Sequence, residues 1–383
     1  MSLWIRQARL VLPRTVQEGD CLVEGGKIAA LGAPGSPRKA QVLEAQGLFL
    51  SPGFVDLHVH GGGGGDLSLG DPEQAWKAVQ FHTQFGTTSL VATLPPAPWD
   101  ELERACATLA EVPGVLGVHL EGPFLNPAKA GALPERHFLS PTPQALEAFR
   151  HLLQRVRSVV RLVTLAPEVP GSADLIQEII EAGAVPALGH TEATYEQALQ
   201  AVRRGAGLFT HLGNAMRGLH HREPGAVGAA LESDTHAELI CDGVHLHPAF
   251  VRLVARVKGF NRICLVTDAI PAAGLPEGRY GWGERTVELH KDRACLPNAT
   301  LAGSALTLNQ AVKNFAQFTG CSMSQAVRCA TLNPARFLGL ARRKGSLALG
   351  KDADLVLMDE DFDVHLVVRG GKIAYWRDDA ASG

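Results

Sequence analysis

The sequence predicts an α/β protein: a (β/α)8 barrel of TIM type, with a small β-sandwich domain built from both termini. Three observations carry this prediction. Eight apolar runs of strand length lie between residues 54 and 267, and helix-length segments separate most of them. The runs lack polar alternation, as expected of parallel strands covered on both faces. Finally, Val23-Glu-Gly-Gly-Lys-Ile-Ala29 returns near the other end of the chain as Val368-Arg-Gly-Gly-Lys-Ile-Ala374. Gly-Gly between two β-prone runs signals a two-residue hairpin.

In chain order, residues 1–50 read as short strands with tight turns (3–12, 21–31, 42–50), and the segment from 345 gives three more (354–358, 364–368, 372–376). The simplest arrangement joins 1–50 and 345–383 in one small β-domain, with 51–344 inserted as the barrel. Barrel strands are expected at 54–60, 88–93, 115–120, 160–166, 185–190, 208–211, 238–241 and 263–267. Helices are expected at 72–86, 99–111, 143–157, 172–183, 194–204 and 248–258, with two more at 305–319 and 323–332. An open doubly wound sheet is the rival. It is weakened because no Gly-x-Gly-x-x-Gly follows a first strand in the required setting.

Composition narrows the function classes. The 383 residues are 46% hydrophobic and 20% charged, ordinary values for a globular enzyme with a large core. With a net charge of −3 and no basic run, nucleic acid is a poor partner. The N-terminus, Met-Ser-Leu-Trp-Ile-Arg-Gln-Ala-Arg, lacks the apolar core of a signal peptide, and no apolar span of about 18 residues points to a membrane. Seven scattered cysteines without a Cys-x-x-Cys pair read as reduced thiols, hence a cytoplasmic protein.

The chemistry-bearing residues fall where a barrel places its active groups, at the C-terminal ends of strands. His58 and His60 end the first strand at i and i+2, so both imidazoles leave one face, and five glycines (Gly61–Gly65) follow. Strand three ends in His119-Leu-Glu121, strand five in Gly-His190-Thr, strand six in Thr-His211, and strand eight in Thr-Asp268-Ala. Imidazoles and carboxylates in this mix suit a divalent metal such as Zn²⁺ or Fe²⁺. Any one of these histidines alone reads more readily as structural; six groups on one rim do not. Asp268 is placed as a general base toward a metal-activated water, the plainer reading being a helix N-cap.

Several further segments occur in order: His119-Leu-Glu-Gly-Pro-Phe-Leu-Asn126, Gly189-His-Thr191, Thr210-His-Leu-Gly-Asn-Ala-Met216 with Arg222-Glu-Pro-Gly225, Asp242-Gly-Val-His245, Val266-Thr-Asp-Ala269 and Leu301-Ala-Gly-Ser304. With Pro52-Gly-Phe-Val-Asp-Leu-His-Val-His60 and Lys344-Gly-Ser-Leu-Ala-Leu-Gly-Lys-Asp-Ala-Asp-Leu-Val356, the chain resembles the N-acetylglucosamine-6-phosphate deacetylase family of the amidohydrolase superfamily over essentially its whole length. The opening and closing motifs are shared by many amidohydrolases; the Glu-Gly-Pro and His-Leu-Gly-Asn-Ala-Met segments are far more specific.

The resemblance implies a barrel of the amidohydrolase type, with one or two divalent metal ions per chain. Glu121, His190 and His211 would hold the main metal, and His58 and His60 a second bridged by Glu121. Asp268 would be the catalytic acid/base. The backbone at Asn214 and Ala215, with the side chains of Arg222 and His245, would hold a sugar phosphate, Arg222 reaching the neighbouring active site of a homodimer. Backbone near Ala132 and at Leu301, Ala302 and Gly303 would line the sugar pocket. The implied reaction is hydrolysis of the acetamide of N-acetylglucosamine 6-phosphate to glucosamine 6-phosphate and acetate.

Leu133 stands where the family commonly carries a His, which leaves an N-acetylgalactosamine-6-phosphate deacetylase as an alternative. A second metal at His58 and His60 is one compensation for that Leu, and His137, four residues on, is another. A cyclic-amide hydrolase with a carbamylated Lys is disfavoured, since strand four (Val-Arg-Leu-Val-Thr-Leu-Ala-Pro) carries no Lys. A non-catalytic scaffold is disfavoured because Glu121, His190, His211 and Asp268 are all present.

Overall fold

The computed structural model of the chain describes residues 2–33, 40–291 and 293–377. Two compact units emerge: one takes the residues up to Asp56, Gln80–Ser89 and the chain from Thr307, and the other takes Leu57–Val79 and Leu90–Leu306.

Eight parallel strands form a nearly closed barrel. They are β1 (Phe54–Val59), β2 (Thr87–Leu94), β3 (Val115–Glu121), β4 (Val160–Leu165), β5 (Val185–Leu188), β6 (Leu208–Phe209), β7 (His236–Leu239) and β8 (Ile263–Leu265). Each neighbours the next in sequence order. The circle is completed beyond β8, where the Asp268 amide donates to the His58 carbonyl at 2.9 Å and Ala269 bridges Val59 in parallel register. Every residue of β1 and β2 is buried, which is why these strands show no polar alternation.

The connecting helices are α1 (Pro72–Gln84), α2 (Trp99–Ala110), α3 (Pro143–Val156), α4 (Ser172–Glu181), α5 (Tyr195–Arg203), α6 (Gly225–Glu232) and α7 (Pro248–Lys258). Local chemistry sets their starts. Thr194 and Gln197 form a capping box at α5, and Pro143 and Pro248 open α3 and α7 where no amide partner is needed. No helix among the described residues is long and apolar enough to cross a membrane.

The terminal strands make a second eight-stranded sheet around one apolar core that includes Ile5, Leu10, Val23, Ile28, Leu355 and Val368. Both Gly-Gly hairpins form as the sequence predicts, with Gly25 and Gly26 at φ 57° and 79° and Gly370 and Gly371 at 56° and 80°. Their tips pack together: a Cβ on Gly371 would stand 2.6 Å from the Gly26 Cα. All seven cysteines are free.

Three features depart from the sequence reading. Helix α6 follows β6 where no helix is expected; its sequence, Gly-Ala-Val-Gly-Ala-Ala-Leu-Glu, is buried nearly all round and so has no polar face to betray a period. A three-stranded meander (Gly278–Trp282, Arg285–His290, Arg293–Cys295) follows β8. Its Trp282, Val287 and Leu289 share a core with Ala132, Ile270 and Ala302. The glycine run after His60, to which the sequence reading gives no element, folds as a tight two-stranded turn. A Cβ on Gly61 would meet Pro271 at 2.9 Å, and one on Gly65 would meet the α1 backbone at 2.5 Å. Close packing requires glycine there.

Candidate active site

Six side chains from five strands meet at the C-terminal mouth of the barrel. His58 lies on β1 with His60 just past its end, and Glu121 is the last residue of β3. His190 and His211 come two residues after β5 and β6, and Asp268 three residues after β8. None is more than 8% exposed. His190, His211 and Asp268 have φ of 49°, 30° and 51°, and nearby Ala215 has 49°. A left-handed backbone at a non-glycine residue costs about 1–2 kcal/mol. Here it turns each strand end sharply enough to aim its side chain back across the mouth.

Glu121 stands at the centre. Its Oε1 is 3.0 Å from His190 Nε2 and 3.1 Å from His211 Nε2, and those two nitrogens are 3.1 Å apart. On the other side His60 Nε2 is 3.4 Å from Glu121 Oε2 and 3.3 Å from Asp268 Oδ1, while His58 Nε2 is 3.6 Å from Glu121 Oε1 and 3.4 Å from Asp268 Oδ1.

The Nδ1 partners decide what those Nε2 atoms carry. His60 Nδ1 meets the Thr93 carbonyl at 3.1 Å, His190 Nδ1 the Lys129 carbonyl at 2.7 Å, and His58 Nδ1 the Glu238 carboxylate at 3.1 Å. Carbonyls and carboxylates only accept, so in each neutral ring the proton sits on Nδ1 and the Nε2 lone pair turns inward. Three lone pairs thus face carboxylate oxygens that cannot donate to them. This arrangement repels itself unless a cation lies between. Ligand atoms ~2.0–2.2 Å from a tetrahedral Zn²⁺ stand roughly 3.3–3.6 Å apart, close to the spacings seen here. The donor set therefore fits divalent metal, with Glu121 placed to touch two positions.

Without metal, protons do the balancing. Burial alone would lower the His58 pKa, but Asp268, Glu121 and Glu238 outweigh it and raise it to about 10. Burial would raise Asp268, yet the surrounding His58, His60 and His211 pull it down to about 2. Glu121 is likewise driven well below the ordinary range against its burial, by His58, His190 and His211. His119 behaves oppositely: burial and neighbouring His58 push it far down. It sits behind the cluster, bound to Thr164 Oγ1 at 2.6 Å.

The cluster forms the floor of a cavity of about 370 Å³. Ala132, Asn214, Ala215, His245, Leu301 and Gly303, all expected around a sugar phosphate, line it, and so do Leu133 and Lys129. Ala302 is fully buried behind the wall. Arg222 lies on an exposed loop, its guanidinium 2.8 Å from His221, and does not line this cavity. Neither does His137. His245 is fixed by Asp242, whose Oδ2 is 2.6 Å from Nδ1. Burial would lower its pKa, but the Asp242 hydrogen bond and charge, with Asp268, raise it.

Two contributors escape the sequence reading. Trp282, on the meander, lines the cavity and meets the His60 ring edge-on, with centroids 5.1 Å apart. Glu238, read only as a strand residue, proves to be the carboxylate behind His58. Neither belongs to a motif with recognisable spacing.

The profile of the amidohydrolase family matches residues 49–374. An N-acetylglucosamine-6-phosphate deacetylase of Lysinibacillus sphaericus is 37% identical over 97% of this chain and 98% of its own. An N-acetylgalactosamine-6-phosphate deacetylase of Escherichia coli O157:H7 is 36% identical over 92% of this chain and 93% of its own. The crystal structure of a mutant N-acetyl-D-glucosamine-6-phosphate deacetylase from Mycobacterium smegmatis, in complex with N-acetyl-D-glucosamine-6-phosphate, aligns with a TM-score of 0.90 at 35% identity, covering 97% of this chain and 99% of that one. The chain belongs to the amidohydrolase family and, within it, to the N-acetylglucosamine-6-phosphate deacetylase family.

Proposed function

We propose that this protein hydrolyses the acetamide of N-acetyl-D-glucosamine 6-phosphate, releasing acetate and D-glucosamine 6-phosphate. The observation that carries the proposal is the inward turn of three imidazole lone pairs onto Glu121 and Asp268 at the floor of a sugar-sized cavity. Glu121, His190 and His211 would hold one divalent ion, and His58 and His60, with Glu121, a second. Nitrogen and oxygen donors in this ratio suit Zn²⁺ or Fe²⁺. Such an ion supplies Lewis-acid chemistry, drawing charge from the acetamide carbonyl and making water more acidic.

The chain's own residues move the proton and hold the substrate. Asp268 is ionised at neutral pH, so it is ready to take a proton from the attacking water. Collapse of the tetrahedral adduct breaks the C–N bond, and Asp268 returns that proton to the departing sugar nitrogen. At the phosphate end, Asp242 raises the His245 pKa and so favours its charged form, whose Nε2–H would donate to an anionic oxygen. Asn214 and Ala215 line the same cavity. Arg222, exposed and outside its own cavity, is the group we assign to the neighbouring site of a homodimer. Free cysteines throughout support a cytoplasmic location.

Leu133 bears on the sugar. An apolar side chain lines the wall where a His would offer a hydrogen bond, which weakens discrimination between sugars that differ by one hydroxyl. The test is acetate release from the 6-phosphates of N-acetylglucosamine and N-acetylgalactosamine, and from both free sugars, each with defined metals. The gluco 6-phosphate should give the highest kcat/KM and the free sugars little turnover. Faster turnover of the galacto epimer, or equal turnover without phosphate, would overturn the assignment.

A further inference from the structure

Barrel interiors are usually filled by branched apolar side chains, but behind the metal ligands this one is polar. His119, Thr164 and Thr210 form a buried chain with contacts of 2.6 and 2.7 Å. Beside them Glu238, fully buried on β7, touches both halves of the cluster with one oxygen. Oε2 accepts from His58 Nδ1 at 3.1 Å and from the His211 backbone amide at 3.1 Å. The Glu238 carbonyl also takes the Leu212 amide at 2.9 Å. A buried carboxylate is costly unless its charge is answered, and the groups that answer this one are metal-cluster residues.

We infer that Glu238 is the positioning residue that makes His58 a metal ligand. By accepting the Nδ1 proton it leaves the His58 Nε2 lone pair turned toward Asp268 and Glu121, 3.4 and 3.6 Å away. His60 and His190 reach the same state through the carbonyls of Thr93 and Lys129, which any residue at those positions supplies. At His58 alone among these three the acceptor is a side chain, so the second metal position depends on the identity of one residue outside the coordination shell. The same oxygen also accepts the His211 backbone amide at its left-handed turn.

This inference rests on the cluster binding two ions, and the test separates the two claims. The full-length protein is stripped with a chelator and reloaded with Zn²⁺, and ions per chain are counted by mass spectrometry alongside thermal unfolding. Wild type should bind two ions; a single ion would overturn the underlying reading together with this one. In Glu238→Gln, affinity for one ion should fall about 10- to 100-fold, the range seen when such outer carboxylates are removed, with the other ion retained. Adding Glu238→Gln to His58→Asn should cost no further metal. Wild-type binding of both ions by Glu238→Gln, or further loss in the double variant, would overturn the assignment. If Glu238→Gln does not fold, Glu238→Asp keeps the charge but withdraws the oxygen; the same selective loss is expected, and retention of both ions again overturns the role.

Discussion

The two halves of the metal cluster share Glu121 but are built by different means. His58 and His60 lie on, or directly after, an extended strand whose period of two puts them on one face. His190 and His211 come off left-handed turns beyond strands that end two residues earlier, and each needs its own turn to point inward. The first pair is therefore presented by regular structure and the second by local strain. Histidines on a strand inherit their geometry from the sheet, whereas histidines on strained turns need the surrounding loops to hold them. Glu168 shows such holding at His190. It accepts from Asn126 Nδ2 at 2.8 Å and the Glu192 amide at 2.6 Å, and the Asn126 amide in turn donates to the His190 carbonyl at 3.0 Å.

The sharpest way to break the comparison is at the residue that faces the first pair but does the proton work. Asp268→Asn should lower kcat about 10²- to 10⁴-fold, the usual contribution of a general acid/base, while substrate still binds to the metal-loaded protein in calorimetry. Turnover near the wild-type rate would remove Asp268 from its role. The halves themselves are compared by His211→Asn and His58→Asn. The former removes a donor from the tight Glu121–His190–His211 triangle, with separations of 3.0–3.1 Å, and should abolish both activity and the more tightly held ion. The latter should lose only the second ion and retain measurable turnover. The reverse order of severity in acetate release and metal counts would invert the comparison.

How far the sequence discloses the site follows the same division. His-x-His on a buried apolar run is legible because a strand's period is regular, and Glu121 and Asp268 are legible as carboxylates at strand ends. The hairpins at Gly25-Gly26 and Gly370-Gly371 are legible because only glycine accepts both turn positions readily. His190 and His211 are legible by their place at predicted strand ends, but the left-handed turns that aim them inward are not written in local propensity, since tertiary packing imposes them. Helix α6 carried no amphipathic signal, and Trp282 reaches the cavity on a meander whose role depends on where it packs. Glu238 looks like any polar residue in a short strand until His58 is seen opposite.

A third experiment uses pH. In the metal-free protein His58 is raised from 6.5 to about 10, so its stabilising effect is complete below pH 6.5 and is lost as pH rises toward 10. Asp268, depressed to about 2, and Glu121 act in the opposite sense and lose their contribution only in acid. The melting temperature of stripped protein should therefore fall between pH 7 and pH 10. The loaded protein should fall less, because metal replaces the proton on His58 and binds more tightly as that proton leaves. Parallel melting curves for the two forms across this range would show that His58 is not the group balancing the cluster.

The smallest expected effect belongs to Trp282, which tests whether the strand-borne pair needs support from outside the barrel. Its ring stands edge-on to His60, 5.1 Å between centroids, and forms part of the cavity wall while remaining 4% exposed. His60 is already fixed through Thr93 and by its place at the end of β1, so the tryptophan adds packing more than direction. An aromatic pair of this kind contributes about 0.5–1.5 kcal/mol beyond its buried area. Trp282→Leu should therefore raise KM about 2- to 10-fold, with kcat and metal content nearly unchanged. Loss of the second ion in Trp282→Leu would mean that the sheet alone does not hold His60, and that the first pair depends on loop packing as much as His190 and His211 do.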